Sequence, residues 1–98
     1  MRRAAKVDDN QADIVAALRY VGCSVTSLAS VGRGFPDIIV GYDGKNYLME
    51  IKDGNKPPSK RRLTPDEQAW QEAWRGQVAV VTSVEDAFMV MGFVKNDV

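Results

Sequence analysis

The pair Asp43-Gly44 separates two runs of strand-forming residues and restricts the fold of this chain more than any other feature. Asp-Gly between two strands favours a two-residue β-hairpin, whose central residues need positive φ. Such a hairpin fixes which residues face each other. With Tyr42 opposite Lys45, the register continues until Asp37 lies opposite Glu50. The sequence therefore predicts two facing carboxylates at the strand ends.

Helical and strand patterns around the hairpin complete the predicted fold. Thr64 followed by Pro65 is a good helix start. The predicted elements are a helix from about Asp8 to Val21, a strand at Ser24–Ala29, a Gly-rich turn at Val31–Gly34, the hairpin strands from Asp37, a loop at Asp53–Arg62, a helix from Thr64 to near Gly76, a buried strand at Gln77–Thr82, and a short helix from Ser83 to about Met91. This order predicts an α/β fold with a mixed central sheet flanked by helices.

Length and composition narrow the class of protein. We expect the 98 residues to form one domain, and self-association to stabilise so small a core, so we expect a homodimer. The 13 basic and 13 acidic residues cancel, so net charge alone does not indicate a nucleic-acid partner. The absence of histidine excludes Ser-His-Asp triads and Cys-His zinc sites. With one cysteine, Cys23, and no long apolar run, a cytoplasmic location is expected, in the host cytoplasm if a phage encodes the protein.

Asp37, Glu50 and Lys52 form the constellation that carries chemistry. Lys52 lies two residues beyond Glu50 and so on the same strand face, where it compensates two opposed like charges. Mg²⁺ commonly binds one or two carboxylates and retains several waters. The cluster is therefore predicted to bind a hard cation that activates water, with Lys52 orienting the water or neutralising developing charge. The alternative interpretation is an ordinary ion cluster at the strand ends.

Pro36-Asp37, twelve residues, then Glu50-Ile51-Lys52 resembles the PD-(D/E)XK nuclease motif. The wider pattern VGRGFPDIIVGYDGKNYLMEIKDG followed by RLTPDEQAWQEAWRG is similar to the small stand-alone VRR-NUC nucleases of phages and bacteria, which are similar to Holliday-junction resolvases. The similarity covers about Val7 to Ala87. It implies a restriction-endonuclease-like αβββαβ core and one VRR-NUC-like domain over residues 1–98.

The same resemblance implies a Mg²⁺- or Mn²⁺-dependent DNA endonuclease, usually a homodimer, that cuts branched or structured DNA such as four-way junctions. Carried over by position, it implies that Asp37 and Glu50 bind the metal together with the Ile51 carbonyl, and that Lys52 is the catalytic lysine.

Two positions depart from the family pattern. Where the superfamily often has a glutamate on its first helix, this chain has Gln11, and Asp9 or Asp13 are possible substitutes. Gln11 has a second interpretation, as part of a capping box with Asp8 at the N-cap. The second-helix glutamine of the family aligns with Glu67 by strict count, although Gln68 is adjacent, and the sequence leaves this choice open.

Basic and aromatic residues suggest how a nucleic acid would be held. The loop after Lys52 carries excess positive charge, which favours phosphate binding over the alternative of a simple solvated face. The predicted DNA contacts are Arg33, Lys56, Lys60, Arg61 and Arg62, with Arg2, Arg3 and Lys6 as an N-terminal arm or an ordinary disordered terminus. Trp70 and Trp74 are predicted to be core or dimer contacts rather than base-stacking platforms.

Two further functional hypotheses stand beside the nuclease. One is a catalytically degenerate module that binds branched DNA, as suggested by the neutral Gln11. The other is a structural or interaction domain that binds neither DNA nor Mg²⁺.

Overall fold

A four-stranded mixed sheet forms the frame of the molecule, for which the computed structural model describes residues 9–94. The elements are α1 (Gln11–Tyr20), β1 (Ser24–Ser27), β2 (Ile38–Tyr42), β3 (Lys45–Ile51), a one-turn 3-10 helix (Pro58–Lys60), α2 (Pro65–Ala73), β4 (Ala79–Val81) and α3 (Val84–Met91). The strand order is β1-β2-β3-β4; β1, β2 and β3 pair antiparallel, whereas β4 pairs parallel with β3. The predicted α/β fold with its αβββαβ core is confirmed.

The β2–β3 hairpin has the predicted turn and register. Asp43 and Gly44 have φ values of 52° and 74°, as a two-residue turn of this kind requires. The pairing runs from Tyr42 opposite Lys45 to Ile38 opposite Met49. Strand pairing ends there, and the Asp37 carboxylate reaches β3 by accepting from Ile51 N–H, next to Glu50.

One face of the sheet carries the hydrophobic core, against which α1 and α3 pack. Alternation along β2 and β3 sends Ile38, Val40, Met49 and Ile51 into this core. The other buried apolar residues are Ile14, Leu18, Cys23, Val25, Val81, Ala87 and Met91. The opposite sheet face therefore carries Glu50, Ile39 and Leu48, and α2 lies on that side, as the contacts below show.

The first helix is shorter than predicted. It begins at Gln11 rather than Asp8, because the side chain of the N-cap residue Asn10 donates to the carbonyls of Lys52 and Thr82, both at 3.1 Å. Val21, the predicted last residue of this helix, lies just beyond its end and is exposed, and Gly22 then turns the chain with a φ of 101°. Asp8, Val7 and the N-terminal basic residues Arg2, Arg3 and Lys6 lie outside the described residues.

The first strand ends at Ser27 rather than Ala29. The Leu28 N–H still bonds the Asp37 carbonyl at 2.8 Å, but the Leu28 carbonyl accepts from Val31 N–H at 2.9 Å, which turns the chain away from the sheet.

The last strand is shorter than the predicted Gln77–Thr82 and only its end is buried. The side-chain amide of Gln77 takes the place of a strand backbone: its Oε1 accepts from Leu48 N–H at 2.6 Å and its Nε2 donates to the Leu48 carbonyl at 3.1 Å. Main-chain pairing therefore starts only at Ala79, and Val81 is the buried residue of the strand.

The second helix is capped as predicted but does not enter the core. It ends at Ala73 because Trp74 turns extended and its indole Nε1 donates to the Gln77 carbonyl at 3.0 Å. The Trp70 and Trp74 rings stack with centroids 4.6 Å apart, and Phe35 meets Trp70 edge-on at 5.0 Å. None of the helix residues Pro65–Ala73, all within the described chain, is buried, and Trp74 is 40% exposed. The core alternative for the tryptophans is therefore wrong.

None of the helices within residues 9–94 has the length and hydrophobicity needed to cross a membrane.

Candidate active site

Asp37 is held at the start of β2 by backbone and side-chain hydrogen bonds. Its N–H donates to the Met49 carbonyl at 3.1 Å, one residue out of the hairpin register, and its carboxylate Oδ2 accepts from Ile51 N–H at 2.6 Å. The Asp37 carboxylate is thus fixed to β3 between Glu50 and Lys52. The Ile51 carbonyl, implied as a further metal ligand, belongs to this same bridging residue.

Glu50 and Lys52 project from the end of β3 on the face opposite the core. Glu50 is only 2% exposed and Lys52 is 9% exposed. The Lys52 Nζ lies 3.7 Å from Glu50 Oε2. The Lys52 backbone N–H donates to the Val81 carbonyl at 2.9 Å, so β4 fixes the end of β3. The structure therefore brings together the three residues that the motif singled out.

Glu67, at the start of α2, is the second-helix residue that reaches this cluster. Its Oε1 accepts from Lys52 Nζ at 2.7 Å. Gln68, the alternative, is exposed and donates to Glu72 Oε2 at 2.8 Å, one turn along the helix surface. Helical geometry separates adjacent side chains by about 100°, so only one of the two can face Lys52.

Helix α2 approaches the strands because the Gly-rich turn before Asp37 leaves space for it. Gly32, Arg33 and Gly34 have φ values of 71°, 57° and 79°. A Cβ atom on Gly34 would lie 2.3 Å from the Asp66 carbonyl oxygen. Only glycine permits this contact, and the contact holds the first turn of α2, including Glu67, against the strand ends.

Burial and crowding perturb the acidic groups of the cluster. Burial, with added repulsion from the Asp37 and Glu67 carboxylates, raises the pKa of Glu50 to about 9. Burial also raises the pKa of Asp37, although the hydrogen bond from Ile51 opposes the shift. Burial tends to raise the pKa of Glu67, but hydrogen bonds from Lys52 and the Thr64 N–H outweigh it and lower the pKa. The cluster thus holds more acid than Lys52 neutralises, a condition that a bound cation relieves.

Gln11 lies buried in the first turn of α1, next to the Asn10 side chain that bonds the Lys52 carbonyl. The capping-box interpretation is wrong, because the N-cap residue is Asn10 and Gln11 is the first residue of the helix. Gln11 Oε1 has no hydrogen-bond partner among the described residues. Asp9 and Asp13, the alternative acids, are exposed.

The oxygen atoms of this region suit a hard cation. Glu50 Oε1 is buried and, like Gln11 Oε1, lacks a hydrogen-bond partner within residues 9–94. Buried oxygens normally have a partner, so an orphaned carboxylate oxygen next to a second carboxylate indicates a place for a cation. The described residues contain no group of three or more His, Cys, Asp and Glu side chains that could hold a metal ion. The donors that fit are the two carboxylates, with coordination completed by waters or substrate as Mg²⁺ allows.

The predicted DNA-contacting residues lie in the Gly-rich turn before Asp37 and in the loop that precedes α2. Arg33 is exposed in the Gly-rich turn, and Lys60 and Arg62 are exposed in the loop that leads from Lys52 to Thr64. Lys56 and Arg61 are half-buried, and Arg61 Nε is a buried donor without a hydrogen-bond acceptor among the described residues. These five basic residues therefore come from the two segments that flank the acidic cluster in sequence.

Asn10 and Gln77 were missed by the sequence analysis. Asn10 joins α1 to the ends of β3 and β4, and Gln77 extends the sheet with its side chain. The signal available for Asn10 was its position four residues before Ile14 and eight before Leu18, which places it on the buried face of the helix. No local signal distinguishes Gln77 from an ordinary strand residue.

No protein-family model and no curated protein sequence matches the chain. A solved structure described as a "VRR_NUC domain" superposes on it with a TM-score of 0.62 and 25% sequence identity. The alignment covers 87% of this chain and 92% of that chain.

Proposed function

This structural match supports membership of the VRR-NUC family, and on that basis we propose that the protein is a Mg²⁺- or Mn²⁺-dependent DNA endonuclease acting on branched or structured DNA. A nuclease-type function in general is supported by the similarity. The observation that carries the proposal is the meeting of Asp37, Glu50 and Lys52 at the strand ends, with a buried and unpartnered oxygen on Glu50.

In this proposal, Asp37 and Glu50 hold the metal, with the Ile51 carbonyl and Gln11 Oε1 as further oxygen donors. When bound, the metal would activate a water and neutralise charge that develops on the scissile phosphate. Lys52 supplies an ammonium donor that orients the attacking water or stabilises the developing charge. Ile51 N–H keeps the Asp37 carboxylate aimed at the site.

Arg33, Lys56, Lys60, Arg61 and Arg62 would bind phosphates on either side of the site. Phosphate contacts supply affinity that does not depend on sequence, which suits an enzyme that recognises DNA shape. The unsatisfied Arg61 Nε supports this role, because a phosphate oxygen would provide its acceptor.

We also propose that the protein acts as a homodimer. The outer side of α2 leaves Trp74 exposed beside an apolar groove of about 370 Å³, lined by Leu28, Phe35, Ile39, Asn46, Leu48, Trp74 and Gln77. Burial of this uncharged surface against a second copy would stabilise a small domain. A two-fold dimer presents two equivalent sites, as a symmetric four-way junction requires.

The test is incubation of purified protein with a labelled four-way junction and a matched linear duplex, each with Mg²⁺, Mn²⁺ or EDTA. We expect metal-dependent cutting of the junction that disappears in Lys52→Ala. Lys45→Ala is the matched control, since Lys45 is exposed at the other end of the same strand. Cutting that survives in EDTA or in Lys52→Ala would contradict the assignment. Junction binding without cutting would support the degenerate DNA-binding module instead.

A further inference from the structure

We propose that Glu67 is a positioning residue that holds Lys52 in its working orientation by tying it to the first turn of α2. This inference rests on the proposed nuclease function, because it assigns the geometry of the lysine used there. The Lys52 Nζ is 2.7 Å from Glu67 Oε1 but 3.7 Å from Glu50 Oε2. The ammonium group is therefore drawn toward the helix and away from the candidate metal ligand.

Glu67 can orient a lysine because its own carboxylate is fixed. Glu67 Oε1 also accepts from the Thr64 backbone N–H at 2.8 Å, while the Glu67 N–H donates to Thr64 Oγ1 at 3.2 Å. This reciprocal pair is a capping box, which normally serves only to begin a helix. Here the same oxygen that completes the cap also receives the Lys52 ammonium, so the helix start and the lysine share one anchor.

The arrangement matters because a lysine side chain is flexible. Its four-carbon stem lets the ammonium rotate among acceptors. The structure already has a long Lys52–Glu50 ion pair, with Nζ 3.7 Å from Glu50 Oε2. Without Glu67, the ammonium would be free to close this distance to a full hydrogen bond and occupy a carboxylate that the proposed function assigns to the metal. Glu67 thus keeps the lysine close to the carboxylates while leaving Glu50 available.

The kinetic test compares Glu67→Ala with Glu67→Gln on the DNA that the wild type cuts. Loss of the acceptor in Glu67→Ala should lower kcat by about 10-fold or more and change KM by less than about 3-fold, since phosphate contacts are retained. Gln keeps an oxygen that accepts from both Lys52 and Thr64 N–H, so Glu67→Gln should recover kcat to within about 3-fold of wild type. An unchanged kcat in Glu67→Ala, or equal losses in both variants, would overturn the proposal.

Two controls separate lysine positioning from other roles. Thr64→Ala removes the other half of the capping box, so it should destabilise α2 while kcat stays near wild type. Asp66→Ala removes an exposed acid from the same helical turn and controls for charge. A kcat that falls as far in Thr64→Ala as in Glu67→Ala would reduce Glu67 to a helix cap and refute the inference. If Glu67→Ala does not fold, Glu67→Met replaces it, because Met keeps the stem length and lacks the carboxylate acceptor.

A second measurement needs no activity and no metal. In ¹H–¹⁵N spectra of lysine side chains, a buried ammonium held by a strong acceptor exchanges slowly with water and gives a signal. The Lys52 signal is identified by its loss in Lys52→Met. We expect this signal in wild type and Thr64→Ala and a similar one in Glu67→Gln, whereas in Glu67→Ala, where the ammonium turns to Glu50, it should shift or disappear. An unchanged Lys52 signal in Glu67→Ala would overturn the positioning role. Failure of the wild type to cut DNA would instead refute the nuclease function. The spectra would still show whether Glu67 holds the Lys52 ammonium.

Discussion

The Ile51 N–H donates to Asp37 Oδ2 at 2.6 Å, so the residue between Glu50 and Lys52 holds the candidate ligand on the neighbouring strand. The side chains of Asp37, just before β2, and of Glu50 and Lys52, at the end of β3, are therefore positioned by one local connection. Because this hydrogen bond needs only an acceptor oxygen, a substitution can remove the charge of Asp37 and keep the bond from Ile51 N–H.

Asp37→Asn should abolish metal-dependent cutting and preserve the fold. The Asn side-chain oxygen still accepts from Ile51 N–H, but the negative charge that holds a cation is lost. We expect cleavage to fall by about 100-fold or more, a loss typical of removing a group that stabilises transition-state charge. Cleavage rates measured with circular dichroism on the same samples check this. Near-normal cutting by a folded Asp37→Asn protein would exclude Asp37 as a ligand.

Glu50 should make stability depend on pH in the absence of metal. Its pKa is about 9 in the folded protein against an ordinary 4.5, so above pH 4.5 the unfolded chain ionises while the folded chain keeps its proton. The contribution of Glu50 to the free energy of unfolding therefore falls as pH rises through this window, by at most about 1.4 kcal/mol per pH unit.

Urea unfolding of wild type and Glu50→Gln in EDTA, from pH 5 to pH 9, measures this effect. Gln cannot ionise, so the advantage of Glu50→Gln over wild type should grow with pH. Parallel stability curves for the two proteins would show that Glu50 ionises normally in the fold.

Gly34→Ala should destabilise the protein and reduce cleavage. The new Cβ would lie 2.3 Å from the Asp66 carbonyl oxygen, and the alanine would have to adopt a φ of 79°. The Gly-rich turn and α2 must therefore move apart. We expect a loss of about 2 kcal/mol or more in the free energy of unfolding. Gly32→Ala is the matched control, because Gly32 has a φ of 71° and nothing within 4 Å of its added Cβ. If thermal or urea unfolding shows that Gly34→Ala and Gly32→Ala lose equal stability, the turn does not depend on the contact between Gly34 and Asp66.

Neutralising the exposed loop cations should weaken DNA binding in a salt-dependent way. Lys60 and Arg62 are exposed, and each phosphate contact contributes about 0.9 to the slope of log K against log salt concentration. The double variant Lys60→Ala/Arg62→Ala should therefore reduce the magnitude of that slope by about 2. Fluorescence anisotropy at several salt concentrations gives the slope. Arg75→Ala, at the other end of α2, should leave it unchanged; an equal effect there would indicate nonspecific attraction only.

Trp74→Glu should convert a dimer into a monomer. Trp74 is exposed beside the apolar groove, and a carboxylate at a buried two-fold interface would be desolvated without a partner. Light scattering should give twice the chain mass of 10.8 kDa for wild type and one chain mass for the variant. Tyr20→Glu, at a site that is 91% exposed on α1, should remain dimeric. A monomeric wild type, or a dimeric Trp74→Glu, would place the interface elsewhere or exclude it.

The candidate site was predictable from sequence where local signals control the backbone. The Asp43-Gly44 turn sets the hairpin register from Tyr42 to Ile38, and this register, together with the hydrogen bond from Ile51 N–H, brings Asp37 beside Glu50. Thr64 and Pro65 likewise determine where α2 begins, because capping involves only the first turn. These local signals could not predict whether Glu67 or Gln68 contacts Lys52. Both lie in the same helical turn, and which one faces Lys52 depends on what the helix packs against.

The sequence alone thus determined the hairpin register, the N-terminal cap of α2 and the acidic pair, because turns and caps act between residues close along the chain. Tertiary structure alone decided that Lys52 meets Glu67, that Asn10 bonds Thr82, and that Trp74 remains outside the core. These outcomes join residues up to 72 positions apart, and they depend on how whole elements pack. No local preference encodes contacts over such distances. The approach of α2 to the strands, for example, requires that Gly34 has no Cβ, because its backbone contacts the Asp66 carbonyl, and this contact exists only when both segments are folded.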